Sequence, residues 1–493
     1  MKETTSICPE CLSVLDARIY EKGNKVYLEK TCPEHGKFTA LYWSDYDQYQ
    51  RAAEYGVEGK GVENPRTKTL KGCPQDCGLC PEHKSHTGLG IIDVTNRCNL
   101  KCPVCFANAA AAGYVYEPTA MQIEEMLQNL RANSPIPTTA LQFSGGEPTI
   151  RDDLPSLIRK AKELGFRHVE VNTNGVRLSK SVEYCRTLDE AGVSTVYLQF
   201  DGLTSDVYKF TRGVDLLETK MKAIENCREA GLDSIVLVVT LVKGVNDHQL
   251  GDIIRFAVEN FDVVRCVNVQ PVSLCGRLPE EERKKMRITI PDFMRLCEEQ
   301  TEGDVKVDDF YPVPAVVPIA RAIGAVRDRR YVEFTAHPHC GMATYLFVEK
   351  GKITPITRYG NVDKFLGAME KAYETAQKGH TTRAKMRLIG ALRHASFSLL
   401  RKHLLPLLSS GSYEALGELQ RKTVLLSSMH FMDPYNFDIE RVQRCCIHYA
   451  VPDGRIIPFC TMNSIHREVI EREMGIPLKE WENQRKTKIA AVA

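Results

Sequence analysis

The sequence predicts an α/β protein built on a partial (βα)6, TIM-like barrel, with a Cys-rich region before it and another after it. Three observations predict this. Between 88 and 300, short apolar runs alternate six times with amphipathic stretches, the pattern of strands and crossover helices in a parallel sheet. The chain carries 18 Cys in 493 residues, and most of them fall outside that alternating stretch or at its very start. Three of these, Cys98, Cys102 and Cys105, follow the first apolar run at x3, x2 spacing. The expected division is a metal-binding domain at 1–87, the barrel at 88–300 and a C-terminal domain at 301–493, with a basic helical insertion at about 361–430.

The N-terminal part opens with Cys8-Pro-Glu-Cys11 and Cys32-Pro-Glu-His35-Gly36. Between them, Val14–Tyr20 and Lys25–Glu29 read as a hairpin turning at Gly23-Asn24. Thiolates so spaced suit one tetrahedral ion, zinc by default from spacing alone, or a rubredoxin-like single iron. Cys73, Cys77 and Cys80 form another x3, x2 triplet. No strand precedes them, so they read as a further cluster site.

The barrel strands are expected at 89–94, 139–143, 168–172, 195–200, 234–241 and 263–270. Helices are expected at Thr119–Arg131, Leu154–Leu164, Ser179–Ala191, Leu216–Ala230 and Leu250–Asn260. Cys98, Cys102 and Cys105 then lie on the loop after a strand, where barrel enzymes place their chemistry. Three thiolates in so short a loop can occupy three corners of a [4Fe–4S] cube and leave the fourth iron open, whereas such clusters are ordinarily held by four Cys. Zinc binding or plain burial are the other readings of three cysteines. Ser144-Gly145-Gly146-Glu147-Pro148 follows the second strand, and Asn172-Thr173-Asn174-Gly175 the third. Cys185, Cys227, Cys266 and Cys297 read as core residues.

Beyond 300, two segments have the same plan: Cys, aromatic strand, Gly-containing turn, returning strand. One starts at Cys340. The other starts at Cys446, next to Cys445, and ends at Cys460, where the first copy has Thr357. Cys275 should stand at the mouth of the barrel after the sixth strand, and is paired here with the C-terminal cysteines. A ligand count over these positions leaves one site short of a cysteine, with His35 or His83 nearest to fill it. Between the hairpins, Leu388, Leu392, Ala395, Leu399 and Leu400 recur at helical spacing, with Arg383, Arg387, His394 and Arg401 largely on another face. A basic amphipathic helix suits a membrane surface or a partner, or packs as an ordinary surface helix.

The remaining composition is that of a globular chain: 43% hydrophobic, 26% charged. A net charge of +2 gives no reason to expect nucleic acid as a partner. No secretory signal is visible, and no run approaches the roughly 20 apolar residues of a membrane span. A cytoplasmic protein, peripheral on the inner face of the membrane, is expected. Clustered cysteines in a reducing compartment point to metal or catalysis more than to disulfides.

Three motifs together, the Cys98–Cys105 triplet, the Gly145-Gly146-Glu147-Pro148 loop and the Asn172–Gly175 strand end, resemble the radical S-adenosylmethionine (SAM) superfamily. Leu198–Gly202 and Lys209–Gly213 add to that resemblance. One position departs from it. The residue before the third Cys is often aromatic in the superfamily, and here it is Val104, with Phe106 after the Cys. The resemblance implies a [4Fe–4S] cluster on Cys98, Cys102 and Cys105 as the catalytic group. It implies SAM contacts from Gly145, Gly146, Glu147, Asn172, Asn174 and Asp201. The C-terminal hairpins resemble appended auxiliary-cluster domains.

The order of Cys8/Cys11/Cys32-Pro-Glu-His-Gly, Tyr42-Trp43-Ser44-Asp45, Gly72-Cys73-Pro to Cys80-Pro81, Asp93–Cys98 and Cys105–Ala109 resembles archaeal tetraether lipid synthases. That family implies C–C coupling of the terminal methyl carbons of isoprenoid glycerol ether lipids. It also implies two auxiliary [4Fe–4S] clusters, a mononuclear iron (or zinc), and a low-potential electron donor. Related proteins carry the label of 7,8-dihydro-6-hydroxymethylpterin methyltransferase. For a lipid substrate, Arg387, Arg393 and Arg401 are the expected head-group contacts.

Overall fold

The computed structural model describes residues 2–483 apart from 106, 108, 110–112, 274–284 and 397–421. Cys275 and Arg401 therefore lie outside the described residues.

The N-terminal segment forms a four-stranded antiparallel sheet in sequential order: β1 Lys2–Ile7, β2 Val14–Glu21, β3 Val26–Cys32 and β4 Gly36–Trp43. In β2, Leu15, Ala17 and Ile19 face inward and alternate with exposed Val14, Asp16 and Arg18, the period-two signature of a sheet with one wet face. Only β2 and β3 were expected. The polar composition of β1 (Lys-Glu-Thr-Thr-Ser-Ile) gives no strand signal of its own. Helix α1, Tyr46–Ala53, follows, capped by Asp45.

The barrel strands are β5 Leu89–Thr95, β7 Ala140–Gly145, β8 His168–Thr173, β9 Thr195–Gln199, β10 Ile235–Leu241 and β11 Val264–Pro271. A short β6, Tyr114–Val115, lies outside them. The crossovers include α2 Ala120–Arg131, α3 Leu154–Glu163, α4 Val176–Lys180, α5 Val182–Ala191, α6 Ser205–Arg212, α7 Leu217–Ala230 and α8 Leu250–Glu259. The helix expected over 179–191 is two helices. Ser181 leaves the helical conformation and caps α5, its hydroxyl accepting from the Tyr184 N–H at 3.0 Å. The run Ile235-Val-Leu-Val-Val in β10 is buried on both faces, as a strand covered on one side by helices and enclosed on the other must be.

The C-terminal region does more than append a domain. Strand β15, Thr423–Met429, pairs parallel with β11, and β16, Ile447–Ala450, pairs parallel with β5. Eight parallel strands thus run β16-β5-β7-β8-β9-β10-β11-β15. Six were expected, and the sheet passes through the boundary expected at 300. The two hairpins expected there exist. β13 Gly341–Glu349 and β14 Lys352–Pro355 lie beyond β15, preceded by the two-residue β12 Tyr311–Pro312, and β17 Ile456–Pro458 lies beyond β16. They occupy opposite edges of one sheet. A further short strand, β18 Ile476–Pro477, pairs with β6.

Helices Val362–Gln377 and Thr381–Ala391 of the insertion pack with helix Val317–Arg327 through Ala322, Met369, Ala372 and Ala391. Leu388, Leu392 and Ala395 do not share one helix, and Leu399 and Leu400 lie outside the described residues. The chain turns at Leu392–His394, and Ala395 bridges to Gly360. Among the described residues, no helix is long and apolar enough to cross a membrane.

Candidate active site and metal centres

The barrel encloses a cavity of about 650 Å³. Inward positions of successive strands line it, along with Cys98, Cys102 and Cys105. Leu425 from one open edge and Tyr449 from the other reach the same space, so the two C-terminal strands wall the gap that six strands leave. Cys266, buried as the sequence suggests, also lines this cavity.

The loop after β7 is fastened to the segment leading into Cys98. Gly146 N–H donates to the Thr95 carbonyl at 2.7 Å and Glu147 N–H to the Arg97 carbonyl at 2.9 Å. Gly145 has φ +133°, and a Cβ there would stand 2.2 Å from the Thr95 carbonyl oxygen; one on Gly146 would stand 2.2 Å from that of Arg97. The close approach that requires glycine is therefore between two chain segments. Glu147 is buried and ties the loop to the end of β8. It accepts from Thr149 Oγ1 at 2.5 Å, from Thr173 Oγ1 at 2.7 Å and from Asn174 N–H at 2.7 Å. Burial raises its carboxyl, and these donors oppose the rise. Asn172 donates to Ser144 Oγ at 3.0 Å, and Asn174 to Asn99 Oδ1 at 2.7 Å, inside the cysteine loop. Gly145, Gly146, Glu147, Asn172 and Asn174 all line the cavity beside the three cysteines.

Asp201 stands differently. It is fully buried and is not among the residues lining the cavity. Its carboxylate receives Arg212 Nε at 2.5 Å and Nη2 at 2.8 Å, Thr211 Oγ1 at 2.9 Å and Gln199 Nε2 at 2.6 Å. Burial works against its charge, yet Arg212 holds it below the usual carboxylate range. The residue that reaches the cavity is Arg212, which also donates to the Val104 carbonyl at 3.1 Å, inside the cysteine loop. Asp201, expected as a SAM contact, here supports Arg212 and does not itself line the cavity. Sequence shows which residues sit at a strand end, not which of two neighbours faces inward.

Burial pushes the Cys98 thiol up to about 12 and raises Cys102, with Arg212 opposing the rise at Cys102. A bound metal deprotonates such thiols and takes the place of the missing solvent.

The N-terminal sheet holds a second arrangement. Cys8, Cys11, Cys32 and His35 place their ligand atoms within 4.8 Å of one another. Cys32 Sγ is 3.5 Å from His35 Nδ1, and Cys11 Sγ is 3.9 Å from Cys32 Sγ. A hydrogen bond from Ser13 lowers Cys11 to about 6, and His35 lowers Cys32. Zinc–sulfur bonds of about 2.3 Å put tetrahedral ligands roughly 4 Å apart, which this set matches. Among the described residues it is the one group so tightly drawn. A four-iron cube carries its ligands on separate corners, so the wider spread of the other cysteines is what cubes would need.

Cys73, Cys77 and Cys80 line a small cavity with His83, Val442 and Pro458. Cys77 donates to Thr461 Oγ1 at 3.0 Å. Cys77, Cys445 and Cys460 border one apolar cluster, and Cys73 and Cys460 a neighbouring one. Cys340 accepts from Arg441 Nε at 3.4 Å, and Cys446 is buried beside Ser85. Arg387 and Arg393 are exposed on the insertion and are not among the cavity-lining residues.

Two residues were missed in the sequence, Asp93 on β5 and Arg467 on helix Arg467–Met474; they pair at 2.6 Å and line the cavity. The signal was a carboxylate interrupting the apolar run Gly90–Val94.

Residues 92–257 match the family described as the Radical SAM superfamily, and residues 1–44 match the HMPTM N-terminal zinc ribbon domain. Among solved structures, Streptococcus suis SuiB bound to S-adenosylmethionine aligns at 21% identity over 45% of this chain and 48% of that chain, with a TM-score of 0.36. The chain is similar over 184 residues, at 30% identity, to a probable GTP 3',8-cyclase of Methanothermobacter thermautotrophicus, covering 37% of this chain and 58% of that relative. The protein is a radical SAM enzyme, and the superfamily implies SAM and a [4Fe–4S] cluster. Within the superfamily, the chain belongs to the family of a Methanocaldococcus jannaschii protein named 7,8-dihydro-6-hydroxymethylpterin dimethyltransferase, to which it is 50% identical over 497 residues, 98% of each chain.

Proposed function

We propose that the protein transfers methyl groups to a reduced pterin held inside the barrel, with Cys98, Cys102 and Cys105 holding the radical SAM cluster. The observation that carries the substrate is the full-length similarity to the M. jannaschii dimethyltransferase. The cavity agrees with a polar ring. A belt of Gln142, Glu170, Asn172, Tyr197, Asn268 and Gln270 crosses its middle. His168 and Gln142 bond the two Glu170 oxygens at 3.0 and 2.8 Å, which fixes that carboxylate against one wall.

The donor set suits the cofactors. Three thiols stand on one loop at the cavity mouth, and beside them lies a loop that admits no Cβ at Gly145 or Gly146. When bound, the cluster and SAM supply a one-electron reductive cleavage and hence a carbon radical strong enough to activate a C–H bond. The protein's own part is positional. Glu147 and Asn174 hold the cysteine loop against the ends of β7 and β8. Arg212, kept charged by Asp201 although burial opposes it, sets a fixed cation beside Cys102 and Cys105. The barrel wall keeps water from the reacting carbon.

Zinc in the Cys8/Cys11/Cys32/His35 site is supported by the mixed Cys–His set and by the zinc ribbon match; a rubredoxin-like iron suits four thiolates better. With His35 there, Cys98, Cys102 and Cys105 given to the radical SAM cluster, and the four cysteines read as core set aside, eight cysteines remain: Cys73, Cys77, Cys80, Cys275, Cys340, Cys445, Cys446 and Cys460. Eight is the number two auxiliary [4Fe–4S] clusters require at four ligands each.

A second reading keeps the lipid coupling expected from the sequence. Its support is the apolar side of the cavity, formed by Leu89, Ile91, Val236, Val238, Met342 and Leu425. Product analysis decides between the two. Anaerobically reconstituted enzyme, SAM and a low-potential reductant are incubated with 7,8-dihydro-6-hydroxymethylpterin or with archaeol-type lipid, and both are examined by mass spectrometry. The pterin reading requires a pterin carrying two added methyl groups. Unmodified pterin beside a coupled lipid overturns it.

A further inference from the structure

We infer that Asp93 and Asn268 are the acceptors for N–H or O–H donors of a molecule bound inside the barrel, with Arg467 as the positioning residue for Asp93. Asp93 projects from β5 in register with Ser144, one step below the Gly145-Gly146 loop. It is 5% exposed. Its Oδ2 receives Arg467 Nη1 at 2.6 Å, while its Oδ1, equally buried, has no hydrogen-bond partner among the described residues. Asn268 projects from β11 and is 7% exposed. Its amide nitrogen is committed to the Tyr197 hydroxyl, and its Oδ1 is likewise without a partner. Both residues line the same cavity. Buried acceptors are nearly always satisfied, because leaving one unpaired forfeits its hydration for nothing.

The surroundings set the sign of what is missing. Arg467 Nη1 is shared between Asp93 and Glu471, at 2.6 and 2.8 Å, and its Nε and Nη2 are spent on Asn463 Oδ1. Two carboxylates face one guanidinium, four of its five N–H groups are used in these contacts, and none of them reaches Asp93 Oδ1. Tyr197 accepts from both Asn268 and Gln270, which leaves its own hydrogen to give. Asp93, Asn268 and Tyr197 thus offer two acceptors and one donor. A hydrocarbon chain satisfies none of them. The ammonium, hydroxyls or adenine amine of SAM supply suitable donors, and so do the amino and ring N–H groups of a reduced pterin. The inference rests on the reading that these two molecules share the barrel.

The test uses fully reconstituted enzyme and two probes, SAM and 7,8-dihydro-6-hydroxymethylpterin, with Kd measured anaerobically for each. Asp93→Asn keeps the shape but turns an N–H toward the cavity; Asn268→Ala removes the second acceptor. Glu471→Gln perturbs the same Arg467 outside the cavity and controls for structure. At least one probe should bind about tenfold more weakly to Asp93→Asn and to Asn268→Ala, equivalent to 1.4 kcal/mol, with Glu471→Gln within about twofold of wild type. Weakened SAM binding makes the cofactor the donor, and weakened pterin binding makes it the substrate. Unchanged Kd values for both probes in both variants overturn the inference, as does a Glu471→Gln loss equal to that of Asp93→Asn. If Asp93→Asn does not fold, Asn268→Ala decides alone. If the wild type does not bind the pterin, the substrate reading fails by itself and the SAM values decide the inference.

Discussion

The N-terminal sheet and the mouth of the barrel both present cysteines from short loops, yet they are built for different metals. In the sheet, four ligand atoms converge within 4.8 Å, and two of the thiols are already pulled toward ionisation by Ser13 and His35. At the barrel mouth the three thiols are spread, and burial raises Cys98 and Cys102. One site is assembled by a local hairpin and closes on a single ion. The other is held by contacts from the loops after β7 and β8 and from Arg212 on α6, and keeps room for a larger group and its ligand. Coordination geometry, more than cysteine count, separates a structural ion from a reactive cluster.

The largest effect should come from emptying the reactive site. Replacing Cys98, Cys102 and Cys105 with Ala should reduce 5′-deoxyadenosine formation to background, a loss beyond about 10³-fold, while the remaining iron and the ribbon metal persist. Reductive SAM cleavage surviving in that variant would break the comparison at its root. Emptying the other site should do the reverse. Cys11→Ser with His35→Ala should release one ion per chain and unfold the N-terminal sheet, since structural zinc contributes about 10–16 kcal/mol in small domains. SAM cleavage should stay within about twofold if the two sites act independently; parallel loss of both would merge them.

Intermediate effects sharpen the contrast in electrostatics. Arg212→Gln leaves buried Asp201 unpaired, which should cost about 3–5 kcal/mol of stability and slow SAM cleavage. Denaturant titration and initial rates check the two separately. A smaller effect follows from acid. Burial lowers His83 to about 4 and His430 to about 3. The folded chain keeps them neutral, whereas the unfolded chain takes up protons below its ordinary value near 6.5. Their contribution is therefore complete above pH 6.5 and is lost as pH falls toward 4 and 3, by up to about 1.4 kcal/mol per pH unit for each group. Urea midpoints of metal-free protein between pH 7 and 5 should show this slope, and His430→Leu should flatten it. The smallest effect is expected at the surface. Arg387→Gln with Arg393→Gln should leave pterin methylation unchanged. Lost turnover there, with salt-sensitive liposome binding in the wild type, would favour the lipid reading.

Much of the barrel was legible because its signals are local. Strands β5 and β7–β11 are short runs that alternate with amphipathic helical stretches, and the observed ends fall within two residues of the expected ones. The motif loops were legible because glycine at Gly145 and cysteine at Cys98–Cys105 have few other uses in such places. What escaped is non-local or directional. Nothing in Thr423–Met429 announces that it will lie beside β11, some 150 residues earlier. Asp201 and Arg212 could not be ranked without knowing which faces inward. The periodicity from Leu388 to Ala395 described one helix, whereas the helix ends at Ala391 and Ala395 bridges to Gly360.

The late arrival of β15 and β16 gives this enzyme a timetable. A ribosome moving at about 5–20 residues per second needs on the order of 10–30 s to travel from the end of β11 to the end of β16. Through that interval the loop bearing Cys98, Cys102 and Cys105 has left the ribosome, while the wall on one side of it has not been synthesised. The barrel wall around those cysteines is complete only once the chain has been made as far as Ala450.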